Sequence, residues 1–273
     1  MSDQDEIRFL QWALPKMGYK WSGFRKPRNQ VIKRIKNRIQ ELNIRGGYSE
    51  YKSYLEIHPE EWKYFERICF VTISKFFRDR KLWDYLRDEI ISDLLKNPKI
   101  KKLDIWSAGC CNGEEPYSIA IILDQLSKQT KQFIQAGIIA TDLDSEVLDR
   151  AIKGLYPPGA LKEVTESELE TYFIKCRSNK SSDYLIDKKL ANSIEFEIRD
   201  IKKSIPGRKF HLVFCRNLVF TYFSANLQQD FLRRLKFHLR DNAHLVIGSN
   251  ETLPDTPWLT QAKSTFPIYR FTP

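Results

Sequence analysis

The segment richest in chemistry is Asp104-Ile-Trp-Ser-Ala-Gly-Cys-Cys-Asn-Gly-Glu-Glu-Pro-Tyr-Ser118, an apolar run that enters a turn holding Gly109 and Gly113. Glycine allows backbone conformations and close approaches that a Cβ forbids. The helix predicted to open at Pro116 adds free N–H groups and partial positive charge, so the whole has the make-up of a cofactor loop. Its spacing is not GxGxxG, and Glu114 and Glu115 directly after the turn would repel a pyrophosphate; they suit a cationic or hydroxyl-bearing ligand. The plain alternative is a strand-to-helix turn whose acids merely complement the helix dipole. Asp142 ends the next apolar run, Ile138-Ile-Ala-Thr-Asp-Leu-Asp144, where a carboxylate commonly grips ribose hydroxyls, while Asp144 and Ser145 suit a helix cap. Arg199-Asp200 and Phe214-Cys-Arg-Asn217 finish two further runs. Open α/β sheets bind ligands outside the carboxyl ends of their strands, which is where these polar residues would gather.

The elements that must carry these residues follow from pattern. Residues 103–106, 138–141, 194–197, 212–215 and 245–248 are short apolar or β-branched runs that read as buried strands. Helical segments at 117–126, 145–152 and 227–239 alternate with them, which predicts a doubly wound α/β domain with a mostly parallel sheet. The interval 155–191 is too long for a simple crossover and reads as a small inserted subdomain, with Pro157-Pro158-Gly159, a short helix over 166–172 and a polar turn at 178–183. Before Pro98 the pattern is all helical, over 51–55, 60–68 and 80–95, with Pro59 suited to a first turn and Asn97-Pro98 to a stop. The division expected is 1–95 for a helical domain and its linker helix, and 96–273 for the sheet domain.

The chain has 273 residues, 42% hydrophobic and 29% charged, with 11 Gly and 12 Pro, which excludes collagen-like, low-complexity and wholly disordered classes. No run approaches the ~18 apolar residues of a spanning helix, and the acidic start MSDQDEIRF is unlike a signal peptide, so a cytoplasmic protein without membrane insertion is expected. The five cysteines show no CxxC or Cys/His spacing, so reduced thiols and no metal are expected. The formal charge is +10, and residues 20–45 hold nine basic side chains against Glu41 alone. Ile32, Ile35, Ile39 and Leu42 recur at three and four there, predicting an amphipathic helix that ends at Gly46-Gly47 and presents Lys33, Arg34, Lys36 and Arg38. Such a surface fits an acidic partner, and its plain alternative is a solvated charged face.

Taken together, the motifs resemble those of the CheR-type methyltransferases, which use S-adenosylmethionine to esterify glutamate side chains of bacterial chemotaxis receptors. Ser74-Lys-Phe-Phe-Arg-Asp79 is similar to that family's T-x-F-F-R-D/E, Gly109 to Ser118 to its G-C-S-T-G-E-E-P-Y-S, and Phe214-Cys-Arg-Asn217 to its F-C-R-N. Ala140-Thr-Asp-Leu-Asp144 and Gly248-Ser-Asn-Glu251 match later blocks more loosely. The resemblance implies a Rossmann-like class I methyltransferase sheet, an N-terminal helical domain and a small inserted β subdomain. By position, it implies cofactor contacts from Thr72, Ser74, Arg78, Gly109, Glu115, Asp142, Asp200, Ile201, Asn217 and Leu218, with Ser74 and Arg78 on the linker helix. Three departures stand out: Thr72 replaces a frequent Asn, Cys111-Asn112 replaces Ser-Thr, and Asn217-Leu-Val-Phe-Thr-Tyr222 is one residue longer than N-x-x-x-Y.

A glutamate carboxylate is ionised at neutral pH, so its methylation needs orientation and desolvation rather than a general base. Arg78 would steer the carboxylate. Tyr222, if it reaches the site, would hydrogen-bond the substrate or lie against the cationic cofactor. Lys33, Arg34, Lys36 and Arg38 would engage an acidic protein substrate, such as a receptor helical bundle, and a monomer is expected. Two rival readings stay open, a nucleic-acid or small-molecule methyltransferase and a non-catalytic cofactor-binding scaffold. The first lacks an N/D-P-P-Y motif or an aromatic-rich basic surface. The second must explain why Arg78, Glu115, Asp142 and Asn217 are all retained.

Overall fold

The computed structural model describes residues 3–70, 72, 74–177 and 182–272, so four residues of the polar turn expected at 178–183 lie outside the described residues. The chain forms two compact units: residues 1–72 with 218–230, and residues 73–217 with 231–273. By these contacts the helices of residues 80–96 group with the sheet rather than with the basic helices.

The first unit is helical, with α1 (Asp3–Lys16), α2 (Trp21–Phe24), α3 (Arg28–Glu41), α4 (Gly47–Ile57) and α5 (Glu61–Cys69). Helix α3 buries Val31, Ile32, Ile35 and Ile39 at the predicted spacing, against an aromatic cluster in which Phe9 meets Tyr48, Tyr51 and Phe65. The helix ends at Glu41, short of the glycine pair, because Asn43 takes a positive φ of 56°. Gly46 instead precedes α4 as its N-cap.

In the second unit, α6 (Arg80–Tyr85), a π-helical turn (Leu86–Ile91) and α7 (Ser92–Lys96) form one bent rod stopped at Asn97, as predicted. The Ser92 hydroxyl donates to the Arg87 carbonyl at 2.7 Å, five residues back, within the widened turn. There follow β1 (Leu103–Ala108), α8 (Glu114–Thr130), β2 (Ala136–Asp142), α9 (Ser145–Lys153), β3 (Leu155–Tyr156), a 3₁₀ turn (Pro158–Leu161), α10 (Glu166–Tyr172), β4 (Phe173–Arg177), β5 (Ser182–Ile186), α11 (Lys188–Ala191), β6 (Ile194–Ile198) and β7 (Phe210–Cys215). After β7 come α12 (Val219–Tyr222) in the first unit, α13 (Ala225–Lys236), β8 (Leu239–Ile247), β9 (Leu259–Gln261) and β10 (Ile268–Phe271). The main sheet runs β6-β2-β1-β7-β8-β10-β9, with the first five mutually parallel and β10 antiparallel to both of its neighbours, β8 and β9. Every residue of β1 and β7 is buried, Asp104, Ser107 and His211 included, as befits central strands covered on both faces.

All five predicted strands form, flanked by the predicted helices. The β10–β9 edge was not foreseen, because Tyr269 and Arg270 interrupt the apolar pattern. The inserted segment forms its own antiparallel sheet, β3-β5-β4, with Leu155 opposite Leu185 and Leu185 opposite Ile174. The architecture is a doubly wound α/β sheet, parallel in its first five strands, with a helical N-terminal region. Among the described residues no helix is long and apolar enough to cross a membrane.

Candidate active site

The loop between β1 and α8 is pinned from below by the end of β2. The amides of Gly109 and Cys110 donate to the Thr141 carbonyl at 2.8 and 3.0 Å, and the Cys111 amide donates to Asp142 Oδ2 at 3.0 Å. The Asp144 amide donates to Asp142 Oδ1 at 3.1 Å, while Asp144 itself caps α9 through the Glu146 amide, as its sequence position predicts. Each carboxylate oxygen accepts at more than one site, so Asp142 keeps acceptor capacity beyond these two bonds. Gly109, Cys111 and Gly113 have positive φ of 74°, 50° and 89°. At Gly113 packing also demands glycine, because a Cβ there would lie 2.9 Å from that of Ala151 and 3.0 Å from the Tyr117 ring. The positive φ at Gly113, its N-cap, starts α8 at Glu114, two residues before the predicted Pro116.

Three carboxyls crowd this loop. Burial raises the pKa of Glu114, Glu115 and Asp142, and hydrogen bonds pull each partly back. Glu115 accepts from the Ser107 hydroxyl at 2.8 Å and pairs with Arg216 at 3.6 Å. Glu114 is buried, with Asn112 and Ser74 favouring its charged form, and its Oε2 has no hydrogen-bond partner among the described residues.

Arg78 lies on a turn, not on the expected linker helix. Phe77 and Asp79 take positive φ of 50° and 67°, and both Phe76 and Phe77 are anchored in the core, a geometry incompatible with continuous helix. The turn is held by Arg216, whose side chain is 5% exposed. Its Nη2 donates to Asp79 Oδ2 at 2.6 Å and to the Arg78 carbonyl at 3.1 Å, and its guanidinium sits over the Trp83 ring. The Trp83 indole N–H donates to the same Arg78 carbonyl at 2.9 Å. Arg78 itself is exposed, and its charge is felt at the Cys111 thiol, where it opposes the upward push of burial.

At the end of β7, Asn217 has φ of 57°, and the Asn217 amide donates to Glu251 Oε2 at 2.8 Å. Asp200 Oδ1 accepts from the Lys202 amide at 3.0 Å, and the Ile201 carbonyl accepts from Arg234 at 3.0 Å, so both lie in the turn after β6. The second unit thus brings together the ends of β1, β2, β6 and β7 with Ser74 and Arg78. Thr72, Leu218 and Tyr222 belong to the helical unit, where the Tyr222 ring packs 4.7 Å from Phe24 and edge-on to Phe70. Of the basic residues, Arg38 forks onto buried Glu61 at 2.8 and 2.9 Å, Lys36 pairs with Glu6 at 2.7 Å, and Arg34 donates to the Ile68 and Phe70 carbonyls. Lys33 is exposed. Pattern named Phe214-Cys-Arg-Asn217 without giving Arg216 a task, although an arginine directly after the apolar run Leu212–Cys215 is itself the signal of a buried, partnered charge.

The CheR methyltransferase SAM binding domain model matches residues 72–268. The chain belongs to the CheR methyltransferase family. It is 32% identical over 222 residues to the chemotaxis protein methyltransferase of Listeria monocytogenes, covering 80% of this chain and 81% of that one. It is 30% identical over 230 residues to the chemotaxis protein methyltransferase of Escherichia coli K12, covering 82% and 76%. This CheR family member is accordingly an S-adenosylmethionine-dependent methyltransferase of the chemotaxis type. The residues present fit that cofactor: a loop bounded by carboxyls, one with an unpartnered buried oxygen, complements a sulfonium and an ammonium group and would oppose a phosphate.

Proposed function

We propose that this protein methylates glutamate side chains of an acidic protein substrate, a chemoreceptor helical bundle. The observation that carries the reading is the junction at Arg216, which ties the Arg78 turn to Glu115 of the carboxyl-lined loop within one unit. Glu115, Asp142, Asp200 and Asn217, with Ser74 and Arg78, would hold S-adenosylmethionine, which supplies an electrophilic methyl group when bound. Gly109 and Ile201 would complete that pocket within the same unit.

The chain's own residues need take no proton from the substrate, because a glutamate is already an anion at neutral pH. They orient and desolvate it. Arg78, with its backbone carbonyl fixed by two donors, presents a guanidinium that holds a carboxylate in one orientation, worth far more in a water-excluded site than in solution. Lys33 and its basic neighbours would meet the acidic partner by long-range attraction.

The test is a separation of binding from turnover. Arg78→Ala should lower kcat for receptor methylation by about 100-fold, the order found when a transition-state donor is removed, with calorimetric affinity for S-adenosylhomocysteine changed far less. Parental turnover in a folded variant would refute the role.

A further inference from the structure

We infer that Glu251 is a positioning residue, its carboxylate holding Asn217 in the left-handed conformation at the end of β7 and so setting the contact that Asn217 makes with the cofactor. The inference rests on the cofactor reading of Asn217 given above. Glu251 belongs to the Gly248-Ser-Asn-Glu251 segment, for which the chemistry above has no use.

Glu251 is 9% exposed, and one of its oxygens, Oε2, accepts two backbone amides, that of Gly248 at 2.6 Å and that of Asn217 at 2.8 Å. Closing the local turn would require only the first, since the Glu251 amide already donates back to the Gly248 carbonyl at 2.9 Å. The second bond reaches 34 residues back to the neighbouring strand's end. Asparagine tolerates the left-handed region better than most side chains but does not settle there unaided, so a φ of 57° needs an external restraint. A charge-assisted bond to the residue's own amide is such a restraint.

Gly248 completes the clamp. A Cβ at Gly248 would stand 2.7 Å from Asn217 Nδ2 and 2.8 Å from Glu251 Oε2, so the Asn217 side chain and the carboxylate both occupy space that only glycine leaves open. The same turn also reaches the Arg78 segment, because the Ser249 hydroxyl donates to Asp79 Oδ2 at 2.9 Å. One four-residue turn therefore sets Asn217 on one side and Asp79 on the other.

Two variants test this in the full chain. Glu251→Gln should weaken S-adenosylhomocysteine binding roughly tenfold to a hundredfold by calorimetry, and raise the cofactor KM with kcat nearly held. Gly248→Ala keeps the carboxylate, displaces Asn217, and should act in the same direction; it decides the matter if Glu251→Gln fails to fold. In an Asn217→Ala background, Glu251→Gln should have little further effect on affinity. Equal weakening in both backgrounds, or unchanged affinity in folded Glu251→Gln, overturns the proposal. If the parent chain itself binds no S-adenosylhomocysteine, the cofactor reading fails, and hydrogen exchange decides the positioning claim. The Asn217 amide should exchange at least about tenfold faster in Glu251→Gln, and an unchanged rate overturns it.

Discussion

Replacing Arg216 by methionine removes a guanidinium that faces one buried and one half-exposed carboxylate. Glu115 Oε2 lies 3.6 Å away on a side chain 12% exposed, whereas Asp79 at 2.6 Å is 42% exposed and can return to water. At an effective dielectric of about 20, a pair 3.6 Å apart has a gross attraction of about 4.6 kcal/mol, and stripping one partner from a buried pair typically costs 3–5 kcal/mol. The Asp79 contact adds at most about 1 kcal/mol after solvent screening. A loss of about 3 kcal/mol in urea unfolding at pH 7 is therefore expected, and Glu115→Gln in the same chain should recover about 1–3 kcal/mol of it. The loss should also depend on pH. Burial raises the Glu115 pKa and Arg216 opposes that rise, so without Arg216 the native state holds its proton to still higher pH. A folded pKa above the unfolded value of about 4.5 makes stability fall as pH climbs between the two, so the cost of the substitution shrinks on acidification. Unfolding followed by tryptophan fluorescence at several pH values reads this directly. A pH-independent loss with no recovery in the double variant would show that Arg216 acts by packing on Trp83 alone.

Other outcomes follow from the same geometry. Asp142→Asn should weaken S-adenosylhomocysteine binding by about 1.5–3 kcal/mol in calorimetry, because its charge both anchors the Cys111 amide and remains able to accept from a ligand. Burial depresses His244 from its ordinary 6.5 to about 4, so the unfolded chain binds the extra proton between those values. Stability present above pH 6.5 is thus lost as pH falls towards 4, by about 3 kcal/mol in all, and His244→Gln should remove that slope from the difference curve. Arg38→Glu should destabilise the helical unit by about 3 kcal/mol through its fork on buried Glu61, whereas Lys33→Glu should leave the melting temperature unchanged and weaken only substrate engagement.

Much of the fold was legible because parallel strands announce themselves: β1, β2 and β7 carry short, largely apolar runs, β6 alternates Ile194-Glu-Phe-Glu-Ile198, and the ends of all four are where the candidate site lies. Helix caps were legible at Asp144 and Asn97 for local reasons, as side-chain capping and chain breaking depend on a few neighbouring residues. Tertiary geometry was not. The turn at residues 76–79 looks helical in isolation, and only the burial of two adjacent phenylalanines with positive φ at Phe77 and Asp79 breaks it. Spacing placed Lys33, Arg34, Lys36 and Arg38 on one helix but could not show that Arg38, Lys36 and Arg34 find partners on other segments of their own unit. Arg216 and Glu251 escaped for a related reason. Their work is done by contacts to segments more than 30 residues away, which no local pattern records.

The central claim, that the acceptor is a carboxylate, is tested most directly by the chemistry of the product. The chain is incubated with methyl-labelled S-adenosylmethionine and membranes bearing chemoreceptors, and the labelled protein is then exposed to mild alkali. A glutamyl methyl ester is electrophilic at its carbonyl and releases volatile labelled methanol, which is the result expected, insensitive to nuclease and lost in Arg78→Ala. Label that survives alkali on protein or nucleic acid would contradict the assignment.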